Sequence, residues 1–170
     1  MEVSYQEVKP DHLDTIVAQW RRERPDLDFG PLGTLGRLFR AAALADAALG
    51  ESLSDEQLQP GWFDVLAALR RSGAPYELSP TDLLQAMMLT SGGLTKRLDR
   101  LEAAGLIARR PDPDDRRGTL VRLTRRGKSV IDRAITKHVA NEKRLLEALR
   151  PAERRALDAS LRSLLAGLSD

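Results

Sequence analysis

The chain has 170 residues, about one domain or one compact subunit, and its 42% apolar and 31% charged residues are too apolar a mixture for disorder. No run reaches the roughly 18 uncharged apolar residues of a membrane span, Met1–Pro10 lacks the apolar stretch of a secretory signal, and the absence of cysteine excludes disulfides, thiolate nucleophiles and cysteine-ligated zinc. The expected compartment is the cytoplasm, with no cofactor and no metal, since His12 and His138 lie far apart.

Along the chain the pattern is mainly helical. Leu13, Ile16, Val17 and Trp20 share one face of a helix that Asp11 caps and Pro25 ends. A long alanine-rich helix spans 32–53, with Leu35, Leu38, Phe39, Ala42 and Leu49 expected on its buried side. Gly30, Gly33 and Gly36 near its start lack the strand and spacing of a phosphate loop. The next helix covers 59–72 and is closed by Gly73 and Pro75. Ser79-Pro80-Thr81-Asp82 then opens a short helix to about Met87, with Ser as N-cap and Pro at the first helical position. Ser91 is expected to cap another, running to Ala104 and stopped by Gly105 in a left-handed C′ conformation.

The period then changes. Residues 106–110 read as a strand, 111–115 as a loop that breaks it, and 119–123 as a second alternating strand, together a hairpin with a charged tip. A long helix follows from Thr124 to about Leu149, and Pro151 opens a last one to about Leu168. The fold class is therefore mainly α: a winged helix-turn-helix with a small two- or three-stranded β wing at 59–124, between N-terminal helices at 11–58 and C-terminal helices at 125–170.

Net charge is only +2, but it is unevenly placed. Residues 91–128 carry 11 Lys/Arg against 5 Asp/Glu, leaving 16 against 20 elsewhere. A basic segment on an acidic body points to a polyanion, although a solvated charged face has the same composition. The helix from Ser91 supplies the chemistry of a groove reader. Leu94, Leu98 and Leu101 anchor one side, and Ser91, Thr95, Lys96, Arg97 and Arg100 present donors for phosphates and base edges. At the hairpin tip Arg116 and Arg117 are candidates to reach DNA, and an Asp–Arg network is expected to shape the turn as well, with Asp115 bracing it while Arg116 or Arg117 points outward. No Ser–His–Asp arrangement, metal-ligand spacing or phosphate loop supports an enzyme. A helical interaction module without DNA binding is the competing reading, and the arginines of the helix and wing argue against it.

The run Leu98-x-x-Leu101-Glu102-x-x-Gly105-Leu106-Ile107-x-Arg109-Arg110, then Asp114-Asp115-Arg116-Arg117-Gly118, then Val121-x-Leu123-Thr124-x-x-Gly127 resembles the MarR family of bacterial transcriptional regulators. The resemblance covers nearly the whole chain. It implies a homodimer held by a helical dimerisation lobe of the first and last helices (11–58 and 125–170), a pseudo-palindromic double-stranded DNA operator and release by a small ligand. Val130, Ile131, Ala134, Ile135, Val139, Leu145, Leu146 and Leu149 independently suggest a dimer, since they are more apolar surface than one small lobe hides.

The additional N-terminal helix with Trp20 is similar to the urate-responsive MarR subgroup. That resemblance implies a ligand site of Trp20, Asp64, Arg97 and Arg109. A flat purine anion suits an indole and a bidentate guanidinium, and Asp64 is expected to pair with one of the arginines when the site is empty. Each residue also has a plainer reading: Trp20 as subunit packing, Asp64 as a carboxylate favoured by a helix N-terminus, Arg97 as a phosphate contact, Arg109 as a solvated strand residue. Two arginines suit a tricarboxylate such as citrate or aconitate as well, while phenolic effectors have less need of them.

Overall fold

The computed structural model describes residues 9–54, 58–87, 93–115 and 118–168. Seven helices and three strands are present among them: α1 (His12–Glu23), α2 (Gly30–Ser54), α3 (Pro60–Arg71), β1 (Glu77–Leu78), α4 (Pro80–Ala86), α5 (Leu94–Ala103), β2 (Ile107–Pro111), β3 (Thr119–Leu123), α6 (Arg125–Leu145) and α7 (Pro151–Leu168). None of these helices is long and apolar enough to cross a membrane. The chain separates into two compact units, Met1–Ala48 and Leu49–Asp170.

In the first unit Asp11 and Asp14 form a capping box. The Asp11 carboxylate accepts from the Leu13 and Asp14 N–H groups at 2.8 and 3.1 Å, and Asp14 accepts from the Asp11 N–H at 2.8 Å. Arg37 of α2 donates to both carboxylates, to Asp11 at 2.8 Å and to Asp14 at 2.6 Å. The glycines of α2 serve helix crossing. A Cβ at Gly36 would stand 2.6 Å from Leu13 Cδ1, and one at Gly33 would stand 3.4 Å from Val17 Cγ2. Leu35 and Phe39 do not lie on a buried side of α2 in the single chain, because the α1 contact uses the glycine-bearing face; they are 42% and 67% exposed.

The second unit holds one core, built from the apolar faces of α3, α4, α5 and α6 and the inner residues of the sheet. Val65, Leu66, Leu69, Leu83, Leu101 and Ile131 are fully buried in it. Ser79 caps α4 as expected, accepting from the Asp82 N–H at 3.1 Å. The sheet is antiparallel in the order β1-β3-β2. β2 extends one residue beyond the expected break, since Pro111 pairs with Thr119 on an edge where its missing N–H costs nothing. β1 has only two residues and exists through its pairing with Arg122 and Val121 of β3, which no local periodicity announces. α6 ends at Leu145, four residues short of the expected Leu149, in a run of tight turns before Pro151.

The two lobes of the hairpin are tied to α6 at one joint. Thr124 caps α6 by accepting from the Gly127 N–H at 2.9 Å, and its hydroxyl donates to the Gly105 carbonyl at 2.8 Å. The Thr124 N–H donates to the Leu106 carbonyl at 3.1 Å. Gly127 lies so close to that carbonyl that a Cβ would overlap its oxygen. Gly105 has φ +69°, the left-handed conformation expected of it at the end of α5. Since the obstacle at Gly127 is backbone and cannot rotate away, Gly127→Ala is expected to destabilise the protein by about 3 kcal/mol, read as a lower urea midpoint at unchanged slope.

Candidate nucleic-acid interface and effector cleft

α5 is amphipathic in the way a groove reader requires. Leu94, Leu98 and Leu101 are 8%, 3% and 0% exposed and hold it in the core, while Thr95, Lys96 and Arg100 are exposed and Arg97 is half-buried. The helix starts two residues later than expected, its first residue being Leu94. Its N-cap is Gly93 at φ +90°, which supplies no side-chain cap. Ser91, expected in that role and as a DNA contact, lies outside the described residues.

The wing is braced from its base. Arg110 of β2 donates to both oxygens of Glu77 on β1, at 2.6 and 3.0 Å, bridging the outer strands across β3. The Arg110 hydrogen bonds hold the mostly buried Glu77 carboxyl below the usual carboxylate range. At the tip, Asp112 accepts from the Asp114 N–H at 3.0 Å, an Asx turn. The Gly118 N–H donates to the Asp115 carbonyl at 2.8 Å. A Cβ at Gly118 would come within 2.9 Å of Asp112 Cβ, so the tip closes tightly on a residue without a side chain. Arg116 and Arg117 lie outside the described residues.

Arg109 is engaged. Its guanidinium donates to Asp99 Oδ1 at 2.7 Å and to Glu102 Oε2 at 2.9 Å, and its own N–H donates to Glu102 Oε1 at 2.9 Å. All three bonds join β2 to α5. The partners are partly solvated, with Asp99 57% and Glu102 38% exposed, so the cluster adds little to stability, about 1 kcal/mol or less per pair. Its effect is geometric: it fixes the orientation of α5 relative to the wing. Asp99 and Glu102 were not among the expected site residues. The available signal was their spacing of three on one helical face, with Glu102 seven positions before Arg109.

Arg97 is placed differently. It makes no hydrogen bond or ion pair with another described residue, and its guanidinium lies flat on Gly61 in the first turn of α3. There it lines a cleft of about 330 Å³ with Gln59, Trp62, Gly93, Lys96 and Arg100. Three cations and an indole thus share one cleft. Of the four expected ligand residues Arg97 alone lines it. Asp64 is half-buried on α3, three residues beyond Gly61. Arg109 is taken by carboxylates of α5, and the Arg97 guanidinium rests on a glycine. Trp20 belongs to the N-terminal unit, where it stacks on Phe29 with centroids 5.6 Å apart and is 46% exposed.

A recognition helix seated on a compact core, beside a braced wing and carrying its cations outward, defines a winged-helix DNA-binding protein. Residues 56–118 match the model of the MarR family. Over 149 residues the chain is 44% identical to the HTH-type transcriptional regulator PecS of Dickeya dadantii strain 3937, covering 88% of this chain and 90% of that one. Among solved structures it is similar to a mutant of Escherichia coli MarR complexed with operator DNA, at 29% identity and TM-score 0.69 over 81% of this chain and 97% of that one. It is also similar to Bordetella bronchiseptica BpsR, whose DNA binding is regulated by 6-hydroxynicotinic acid, at 30% identity and TM-score 0.66 over 77% and 98% of the two chains. The chain belongs to the MarR family of DNA-binding transcriptional regulators. These relatives are regulators and not enzymes.

Replacing Asp99 and Glu102 together with alanine removes the ties from α5 to Arg109. The expected result is a loss of about tenfold in operator affinity by fluorescence anisotropy, with a thermal midpoint shifted by only a few degrees. A collapse in stability of equal weight would assign the cluster to the fold and not to orientation.

Proposed function

We propose that the protein is a homodimeric repressor, acting on its own promoter region, that leaves a pseudo-palindromic operator when a small anion binds, with urate as the effector. Arg97 carries the proposal. It is a half-buried cation of the recognition helix without a carboxylate partner among the described residues, lining a cleft with Lys96, Arg100 and Trp62. A flat anion in this cleft gains a guanidinium, two further cations and an indole face. Because Arg97 belongs to the reading helix, any displacement of its side chain is transmitted to the DNA-binding face. Such a site meets the requirement that a ligand act by differential contacts in two states.

The similarity to BpsR favours a flat heteroaromatic anion as the ligand class. The subgroup resemblance adds Trp20, Asp64 and Arg109 to the site. For Arg109 a direct role requires the anion to compete with Asp99 and Glu102, which loosens the tie between wing and α5. A tricarboxylate such as citrate is the second reading, favoured by the three cations Lys96, Arg97 and Arg100 in one cleft.

Dimer formation rests on apolar surface that the single chain leaves in water. α7 has no buried residue at all among those described, and Leu165 and Leu168 are 62% and 73% exposed. On α2, Phe39 and Leu44 are 67% and 62% exposed. Exposed apolar surface of this kind, on each unit by itself, marks an interface. A twofold axis sets two recognition helices about one DNA turn, roughly 34 Å, apart.

The test is fluorescence anisotropy on DNA from the upstream region of the gene, titrated with urate and separately with citrate. Urate is expected to release the DNA, Trp20→Phe to blunt release while leaving operator affinity within a few fold, and Arg97→Ala to weaken release, operator binding or both. Release by citrate alone would replace the effector, and an Arg97→Ala variant with both properties intact would remove Arg97 from the site. Removing Arg116 and Arg117 is expected to lower operator affinity and to flatten its salt dependence by about one unit of slope per lost phosphate contact. An unchanged slope would take the wing tip off the DNA.

A further inference from the structure

We infer that Gly61 is the seat of Arg97, and that the missing side chain at this position sets how the recognition helix responds to its effector. The inference rests on the effector cleft proposed above for its functional half only; the seat itself stands on geometry. A Cβ at residue 61 would lie 2.5 Å from Arg97 Cζ, 2.6 Å from Nε and 3.0 Å from Nη1. These are closer than carbon atoms and guanidinium groups approach one another, so the guanidinium occupies space that only glycine leaves open.

Nothing else in the backbone asks for glycine here. Gly61 is in the first turn of α3 without the left-handed conformation that marks Gly73, Gly93 and Gly105. Alanine is a better helix former than glycine. The three atoms nearest to that methyl group all belong to Arg97. The contrast with Gly127 is instructive. There the obstacle is a carbonyl of the backbone, whereas at Gly61 it is the far end of a flexible side chain, which can swing aside.

The consequence is a contact between the first helix of the DNA-binding lobe and the recognition helix that depends on the absence of one methyl group. With glycine, the guanidinium rests against α3 as a wall of the cleft shared with Gln59, Trp62 and Lys96. With alanine, it leaves that wall and the methyl takes its place. An anion then loses the prepositioned guanidinium and part of the room beside the α3 backbone. Gly61 is accordingly a positioning residue, acting through Arg97, and it helps decide which anions fit.

The experiment is a double-mutant cycle of Gly61→Ala and Arg97→Ala in the full-length protein, read twice. The first reading is stability in urea without effector. Gly61→Ala is expected to cost stability or leave it level in the parent, but to stabilise the Arg97→Ala background, where the methyl meets no guanidinium. Strict additivity would overturn the seat. The second reading is release from operator DNA by urate. The half-release concentration is expected to rise about five- to tenfold in Gly61→Ala, with no further change when Arg97 is already absent. A coupled stability cycle with an unaltered urate response would keep the seat and overturn its regulatory role. Parent protein that urate does not release would instead reject the effector reading, with the seat still decided by the stability cycle.

Discussion

The close approach of the α6 backbone to the Leu106 carbonyl is the constraint on which the DNA-binding lobe depends. Gly127 permits it, Thr124 caps the helix while reaching back to Gly105, and the Thr124 N–H takes up the same Leu106 carbonyl. Three elements meet in these few bonds: the end of α5, the start of β2 and the start of α6. The recognition helix therefore ends at a fixed point, and the wing leaves that point in a fixed direction. The Thr-x-x-Gly pattern has a mechanical explanation, since a side chain at 127 would push α6 away from the Leu106 carbonyl and the Thr124 hydroxyl bonds both sides of the joint.

From this joint outward, charge is divided between holding the lobe together and facing a partner. The segment 91–128 carries an excess of cations, but part of it is consumed internally. Arg109 is bound by Asp99 and Glu102, and Arg110 by Glu77. Those partly solvated pairs orient more than they stabilise. Thr95, Lys96 and Arg100 are left on the outer side of α5, with Arg97 half-buried beside α3. Two arginines that look alike in the sequence thus take different places: Arg109 is a strut between wing and helix, and Arg97 lies against Gly61 as a wall of a cleft.

Much of the fold was legible in the sequence because its signals are local. Asp11 and Ser79 cap helices as their side-chain chemistry predicts, Gly105 takes the left-handed turn, and the spacing of Leu94, Leu98 and Leu101 reports the buried face of α5. Other features were not legible. β1 is two residues held only by β3, and α5 begins at Gly93 without a side-chain cap. Apolar content on α2 does not report burial within the single chain, since Gly33 and Gly36 make the contact with α1 while Leu35 and Phe39 stay exposed.

The sequence by itself determined the helical periods, the caps, the hairpin and the family motif, since each depends on residues within a turn or two of one another. It also determined which side chains carry charge near the recognition helix. Tertiary structure alone decided what those charges do. Whether an arginine meets Asp99 and Glu102 or lies on Gly61 depends on how α3, α5 and β2 approach one another in space, at separations of seven to some thirty-six residues along the chain. Electrostatic and steric effects of this kind act over a few ångströms, and only the folded core brings their partners within that range.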